Sequence, residues 1–208
     1  MRPTMLEIVN GTSQSVLVYI TLSADAGNTT LADLKAFVTP VPGNALQGTF
    51  TLDANASQGY APPSGTPLIG NLCFGGPPIN CPTTTFPNAV NLFEFALGVA
   101  KKGQETLDIS CVAGVNAAIA VSLSGGGHWN AGKTQPVVTS FHNGKIGTNT
   151  GLVGVYPVSC DICTASQAPP TCTPSVPAET PQTHAICNVQ RDASKSGGTV
   201  TVTYQGPL

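Results

Sequence analysis

The sequence predicts an all-β fold, a β-sandwich or flattened barrel. Short apolar runs recur at regular spacing with turn signals between them, and no helical repeat or longer internal repeat is visible. Turn-formers abound, with 23 Gly and 18 Pro in 208 residues. Hydrophobic residues reach 41%, too many for a disordered chain. The length can bury a core of its own, and the chain reads as one domain over residues 1–208.

Taken in order, Met5 to Asn10 and Ser15 to Leu22 alternate apolar and polar residues around a polar turn, which predicts a hairpin. Leu31 to Val38 suits a short helical turn before Pro40 and Pro42, and Thr49 to Asp53 suits a strand. Gln58 to Pro87 carries many Pro and Gly and reads as loop. Asn88 to Ala100 begins as an extended segment. Thr106 to Val112 and Val115 to Leu123 are two β-rich runs broken at Ala113-Gly114. Ser124 to Asn130 is a glycine-rich loop that carries the single Trp. Val137 to Phe141 and Leu152 to Val158 suit strands. Residues 160–188 form a cysteine- and proline-rich excursion within the domain, and Gly198 to Tyr204 alternates as a terminal strand.

Charged residues are 9% of the chain and the net charge is -2, against about 25% charged in an ordinary domain. No basic face able to neutralise a row of phosphates can be built from this, so nucleic acid is not an expected partner. No apolar run reaches the about 18 residues that a membrane span needs. Of seven cysteines, only Cys160 and Cys163 have zinc-knuckle spacing, and no second knuckle follows. Disulfides are therefore expected. Local spacing favours Cys73–Cys81 and Cys163–Cys172, with Cys160–Cys187 as a longer closure, although six bridged cysteines leave other pairings open. Cys111, inside an apolar run, is the expected odd thiol. Arg2 and the run Val16 to Leu22 look like a leader, but Glu7 and the polar stretch Asn10 to Ser15 interrupt it, so the chain reads as a mature secreted protein. Asn10, Asn28 and Asn55 head glycosylation sequons. His128, His142 and His184 lack ligand spacing, and no glycine fingerprint for phosphate or nucleophile elbow is present, so neither a metal nor a cofactor is expected.

Leu6-Glu7-Ile8-Val9-Asn10 followed by Ser15-Val16-Leu17-Val18 resembles the opening of thaumatin-like proteins. Asn91-Leu-Phe-Glu94-Phe95-Ala-Leu97 and Leu107-Asp108-Ile-Ser-Cys111-Val-Ala113-Gly-Val-Asn116 resemble that family's "LAEFAL" and "DISLVDGFN" block. The pair Cys73/Cys81 and the closing strand also fall where the family has them. The chain departs in carrying far fewer cysteines, with Gly11 near the place of a first-strand cysteine, Ala113 in place of a second acid and Gln182 near a late acidic position.

The resemblance implies a secreted thaumatin-like β-sandwich with a disulfide-stapled excursion. It also implies an acidic cleft that binds, and in some members cleaves, β-1,3-glucan of the cell wall. Glu94 and Asp108 occupy the matching acidic positions. Hydrolysis would use Glu94 as general acid, its pKa raised if Phe93 and Phe95 shield it, and Asp108 as base or stabilising anion. Trp129 in its glycine loop, with His128 beside it, and Phe95 and Tyr60 are the expected sugar contacts. Whether the chain is an endo-β-1,3-glucanase or a binding protein stays open at this level. The alternative is a non-catalytic, self-assembling subunit of an extracellular assembly or surface coat, since low charge removes the repulsion that keeps copies apart.

Overall fold

The computed structural model describes residues 2–75, 90–99, 103–111, 115–132, 137–144, 153–156 and 187–208. Among these the strands are β1 (Met5–Asn10), β2 (Val16–Leu22), β3 (Thr39–Pro40), β4 (Gln47–Leu52), β5 (Ser57–Tyr60), β6 (Leu68–Phe74), β7 (Leu92–Leu97) and β8 (Gln104–Ser110). They continue with β9 (Ala117–Ser124), β10 (Trp129–Ala131), β11 (Val137–Val138), β12 (Ser140–Asn143), β13 (Val155–Tyr156), β14 (Val189–Asp192) and β15 (Thr199–Pro207). A first sheet has the order β12-β9-β15-β1-β5. A second runs β11-β10-β14-β8-β7-β6-β2-β4-β3, with β13 beside β8.

The all-β expectation holds for these residues. The period-2 pattern is plain in β1, where Leu6, Ile8 and Asn10 are buried between half-buried neighbours, and in β15, where Val200, Val202 and Tyr204 are buried. Leu6, Ile8, Val121 and Val202 of the first sheet share one apolar cluster with Val18, Leu72, Phe93, Phe95 and Leu107 of the second. Phe74 of β6 stacks on Tyr204 of β15 at 5.2 Å between ring centroids, across the two sheets.

The first predicted pairing is corrected. β1 and β2 do not form a hairpin: β1 pairs with β15 and β5, and β2 pairs with β4 and β6. Both strands bury a mainly apolar face (Leu6 and Ile8 of β1; Val16, Val18, Ile20 and Leu22 of β2), and placing them in opposite sheets buries the two faces against each other. The corner between them is held by Asn10, whose Nδ2 donates to the carbonyls of Gln14 (2.7 Å), Leu52 (3.2 Å) and Asp53 (3.0 Å). The loop expected over Gln58 to Pro87 is also corrected in part, since β6, a central strand of the second sheet, lies inside it. Gly70 disguised it. That glycine packs so closely on the backbone of Thr21 and Leu22 that any added Cβ would collide. The turn over Leu31 to Val38 is present, closed by Val38 N–H donating to Leu34 O at 2.9 Å. The excursion over 160–188 lies outside the described residues except for Cys187 and Asn188.

Two buried polar assemblies join the layers. Asn91, fully buried, donates from Nδ2 to Ala117 O (2.9 Å), and its Oδ1 accepts from Asn116 N–H (3.2 Å) and Ala117 N–H (3.1 Å). Asn116 in turn donates to Phe74 O at 2.8 Å. The asparagines of the conspicuous 91–116 block are therefore clips between the sheets.

At the other end, Arg191 Nε meets Glu105 Oε2 at 2.6 Å, both side chains sealed from solvent. Glu105 Oε1 accepts from Thr4 Oγ1 (2.7 Å) and Gly98 N–H (2.8 Å). Arg191 Nη2 donates to Thr4 Oγ1 (2.8 Å) and Gly197 O (2.7 Å), and Nη1 donates to Gly125 O (3.1 Å). Each charged group is thus both paired and hydrogen-bonded, which its burial requires.

Candidate acidic groove

β7 and β8 run antiparallel, and Glu94 stands directly opposite Asp108. Opposite residues of such a pair share a face, with Cβ atoms about 4.5–5.5 Å apart. The two acids singled out in the sequence are thus nearest cross-strand neighbours. The row continues through Asn71 opposite Glu94, Thr21 opposite Asn71 and Gln47 opposite Thr21. Gln47 Nε2 donates to Thr21 Oγ1 at 3.2 Å. This polar row crosses β4, β2, β6, β7 and β8 on the face turned away from the inter-sheet core. A groove of about 390 Å³ lies over its middle, lined among others by Thr21, Ile69, Asn71, Glu94, Thr106 and Asp108.

The alternation of β7 explains which side chains reach the groove. Phe93 and Phe95 face the core and are buried, so Glu94 between them faces outward. The expected shielding of Glu94 by these two rings is therefore corrected; Phe95 borders the groove, but it is buried and its side chain packs in the core. The Glu94 pKa is nevertheless raised, chiefly by burial, with a hydrogen bond from the Ser110 side chain working against the rise. Asp108 is pushed well above the usual carboxylate range, first by burial and then by the charge of Glu94. Two such acids side by side hold a proton to higher pH than either would alone. Asn71 Oδ1, across from Glu94, is buried and accepts no hydrogen bond from protein. The protonated carboxyl of a neighbouring acid is the kind of donor it lacks.

The linkage has a definite sign. Both folded-state pKa values are raised above the unfolded ones, so the pair's contribution to stability is complete below about pH 4 and is lost as pH rises through the raised values. Asp108→Asn removes the repulsion while keeping the shape. Its urea midpoint is expected to exceed that of the parent at pH 8 by an amount worth about 1 kcal/mol, with the difference shrinking towards pH 4. An equal midpoint at pH 8 would show that the pair is not coupled.

The other expected sugar contacts are not gathered here. Trp129 is 3% exposed and belongs to the apolar core, with the Arg191 guanidinium 4.2 Å over its ring. The exposed stacking ring expected from the sequence is thereby corrected to a buried anchor. The glycine loop before it is pressed against the same Arg191: Gly126 has φ +67 and no room for a Cβ. His128 is exposed on that loop, away from the acids. Tyr60 is on β5, in the other sheet, packed against the core.

Two sequons are corrected as well. The Asn10 and Asn28 side-chain nitrogens are buried hydrogen-bond donors, that of Asn28 to Ser23 O (3.0 Å) and Ile69 O (3.0 Å), whereas Asn55 is exposed in a turn at φ +57. Cys111 is buried in the core, and Cys73 and Cys187 are buried too. Cys81, Cys160, Cys163 and Cys172 lie outside the described residues, and with them the expected bridges. Among the described residues no cluster of three or more His, Cys, Asp or Glu is placed to hold a metal, and no helix is long and apolar enough to cross a membrane. The Glu105–Arg191 pair was missed in the sequence. Its signal was an acid at Glu105 in step with Leu107 and Ile109, on the apolar face of a strand.

No family model matches this sequence, and no curated protein matches it. Among solved structures the chain is similar to a thaumatin-like xylanase inhibitor, with a TM-score of 0.43 and 13% identity over 96% of this chain and 98% of that one.

Proposed function

We propose that this protein is an extracellular polysaccharide-binding protein that holds a neutral glycan, β-1,3-glucan foremost, in the groove over β6, β7 and β8. The observation that carries the reading is the placement of Glu94 opposite Asp108 in a groove otherwise lined by the hydroxyl residues Thr21, Ser23 and Thr106, the amide of Asn71 and apolar residues. Sugar hydroxyls can donate to an ionised carboxylate and accept from a protonated one. Ile69 and Ala96 offer apolar surface to the C–H face of a ring. Among the described residues no Lys or Arg lines the groove, which favours a neutral glycan over an anionic one.

Hydrolysis would ask one acid to hold a proton and the other to be ionised. Both acids are biased toward the protonated form, Glu94 by burial and Asp108 by burial and the charge of Glu94, so the pair is suited to hold one proton between them.

The test is retention on insoluble β-1,3-glucan at moderate salt, with reducing-end release from laminarin followed in parallel. Wild-type protein is expected to be retained, and Glu94→Gln to weaken binding about tenfold, as expected for loss of a charge-assisted hydrogen bond. Free passage of the folded wild type through the column would overturn the reading. Reducing-end release that survives both Glu94→Gln and Asp108→Asn would exclude the pair from any chemistry.

A further inference from the structure

The outward face that carries the acid-pair groove continues beyond β8. Thr106, which lines it, stands opposite Gln190 of β14, and Gln190 stands opposite Asn130 of β10. Asn130 is opposite Val137 of β11, a valine 49% exposed. Cross-strand partners share a face, so one outward row runs from Ile69 through Ala96 and Thr106 to Gln190, Asn130 and Val137. Over its far end lies a second groove of about 370 Å³, lined by Gln104, Asn130 and Gln190. From β6 to β10 the row crosses five strands, about 19 Å at ordinary strand spacing. That is room for several sugar rings.

We infer that this second groove is a binding subsite that extends the acid-pair groove and takes the continuation of the same uncharged polyhydroxylated chain. The inference rests on the glycan reading above and adds a direction and a length to it. Three amides present donors and acceptors side by side, the pattern that neighbouring sugar hydroxyls answer. Among the described residues, the charged ones lining this groove are Arg191 and Asp192. Arg191 turns to the opposite face and is held by Glu105. Asp192 Oδ1 caps the following turn by accepting from Ser194 N–H (2.8 Å) and Ser194 Oγ (2.7 Å). Arg191 is thereby neutralised, while the exposed Asp192 carboxylate disfavours an anionic ligand. Val137 supplies apolar surface at the end of the strip, where a ring's C–H face can rest.

Calorimetric titration with β-1,3-glucan oligosaccharides of two to six sugars tests this. The hexamer is expected to bind about tenfold more tightly than the dimer. Gln190→Ala is expected to lower hexamer affinity about fivefold and leave dimer affinity unchanged, whereas Asp108→Asn lowers both. Equal affinity at every length, with Gln190→Ala silent, overturns the subsite and leaves the acid-pair reading standing. Failure of every oligomer to bind overturns both. A change in the sedimentation of the protein alone on Gln190→Ala, with sugar affinity unmoved, makes the strip a contact between copies and likewise overturns the subsite.

Discussion

Glu105→Gln is expected to lower the unfolding free energy by about 3–5 kcal/mol, because it leaves the buried Arg191 charge without its counter-ion. In a chain of this length that is a fall of about 10 °C in thermal midpoint. The damage extends beyond one contact. Glu105 Oε1 also receives the Thr4 hydroxyl and Gly98 N–H, so the junction of β1, β7, β8 and β14 is held through this one carboxylate. Arg191→Met alone is expected to do comparable harm. The pair Glu105→Leu with Arg191→Met should lose less than the sum of the two single changes, since no uncompensated charge remains. Recovery stays incomplete, because Gly125 O and Gly197 O lose their donor. A single-variant loss below about 1 kcal/mol, read from urea midpoints, would mean that the pair is solvated and does not bind the sheets together.

The second large effect belongs to Asn91. Asn91→Ala removes three hydrogen bonds to backbone groups of residues 116 and 117, each worth about 1 kcal/mol. The expected loss is about 2–3 kcal/mol, softened because Asn143 Nδ2 still donates to Ala117 O at 3.2 Å. Asn91→Asp should be worse than Ala, since it buries a charge and turns the donor to Ala117 O into an acceptor. Equal stability of Asn91→Ala and wild type would show that the clip contributes nothing net.

These two assemblies mark the boundary of what could be read in advance. Strand positions were legible wherever one face is apolar and the other polar, as in β1, β2, β9 and β15. Pairing was not. Alternation says which face is buried but not which sheet supplies the cover, so β1 and β2 looked like a hairpin and are instead split between layers. β6 was hidden because Leu68–Phe74 holds Gly70 and Asn71 at its centre, residues that usually mark turns. The glycine is there for close approach to β2, a tertiary requirement without a local signature.

The acid pair was legible by type. Its register was not, because opposition of Glu94 and Asp108 depends on the length of the β7–β8 connection. Trp129 was misjudged for the opposite reason. A glycine-rich setting looks exposed, yet here the glycines let the loop close onto Arg191, which lies over the Trp129 ring. Asn10 and Asn28 show the same limit: a sequon names the residue, and only the fold shows that its amide is already committed.

The central claim is that one solvent-facing groove on the second sheet, floored by Glu94 and Asp108, is where a neutral glycan binds. Its most direct test is a titration of isotope-labelled protein with a soluble β-1,3-glucan hexasaccharide, followed by the amide and carboxyl resonances. The account predicts shifts concentrated at Thr21, Asn71, Glu94, Thr106 and Asp108, with the Glu94 and Asp108 carboxyl signals moving together on one binding curve. Shifts confined to the first sheet, or carboxyl signals that stay still while the sugar binds elsewhere, would contradict it.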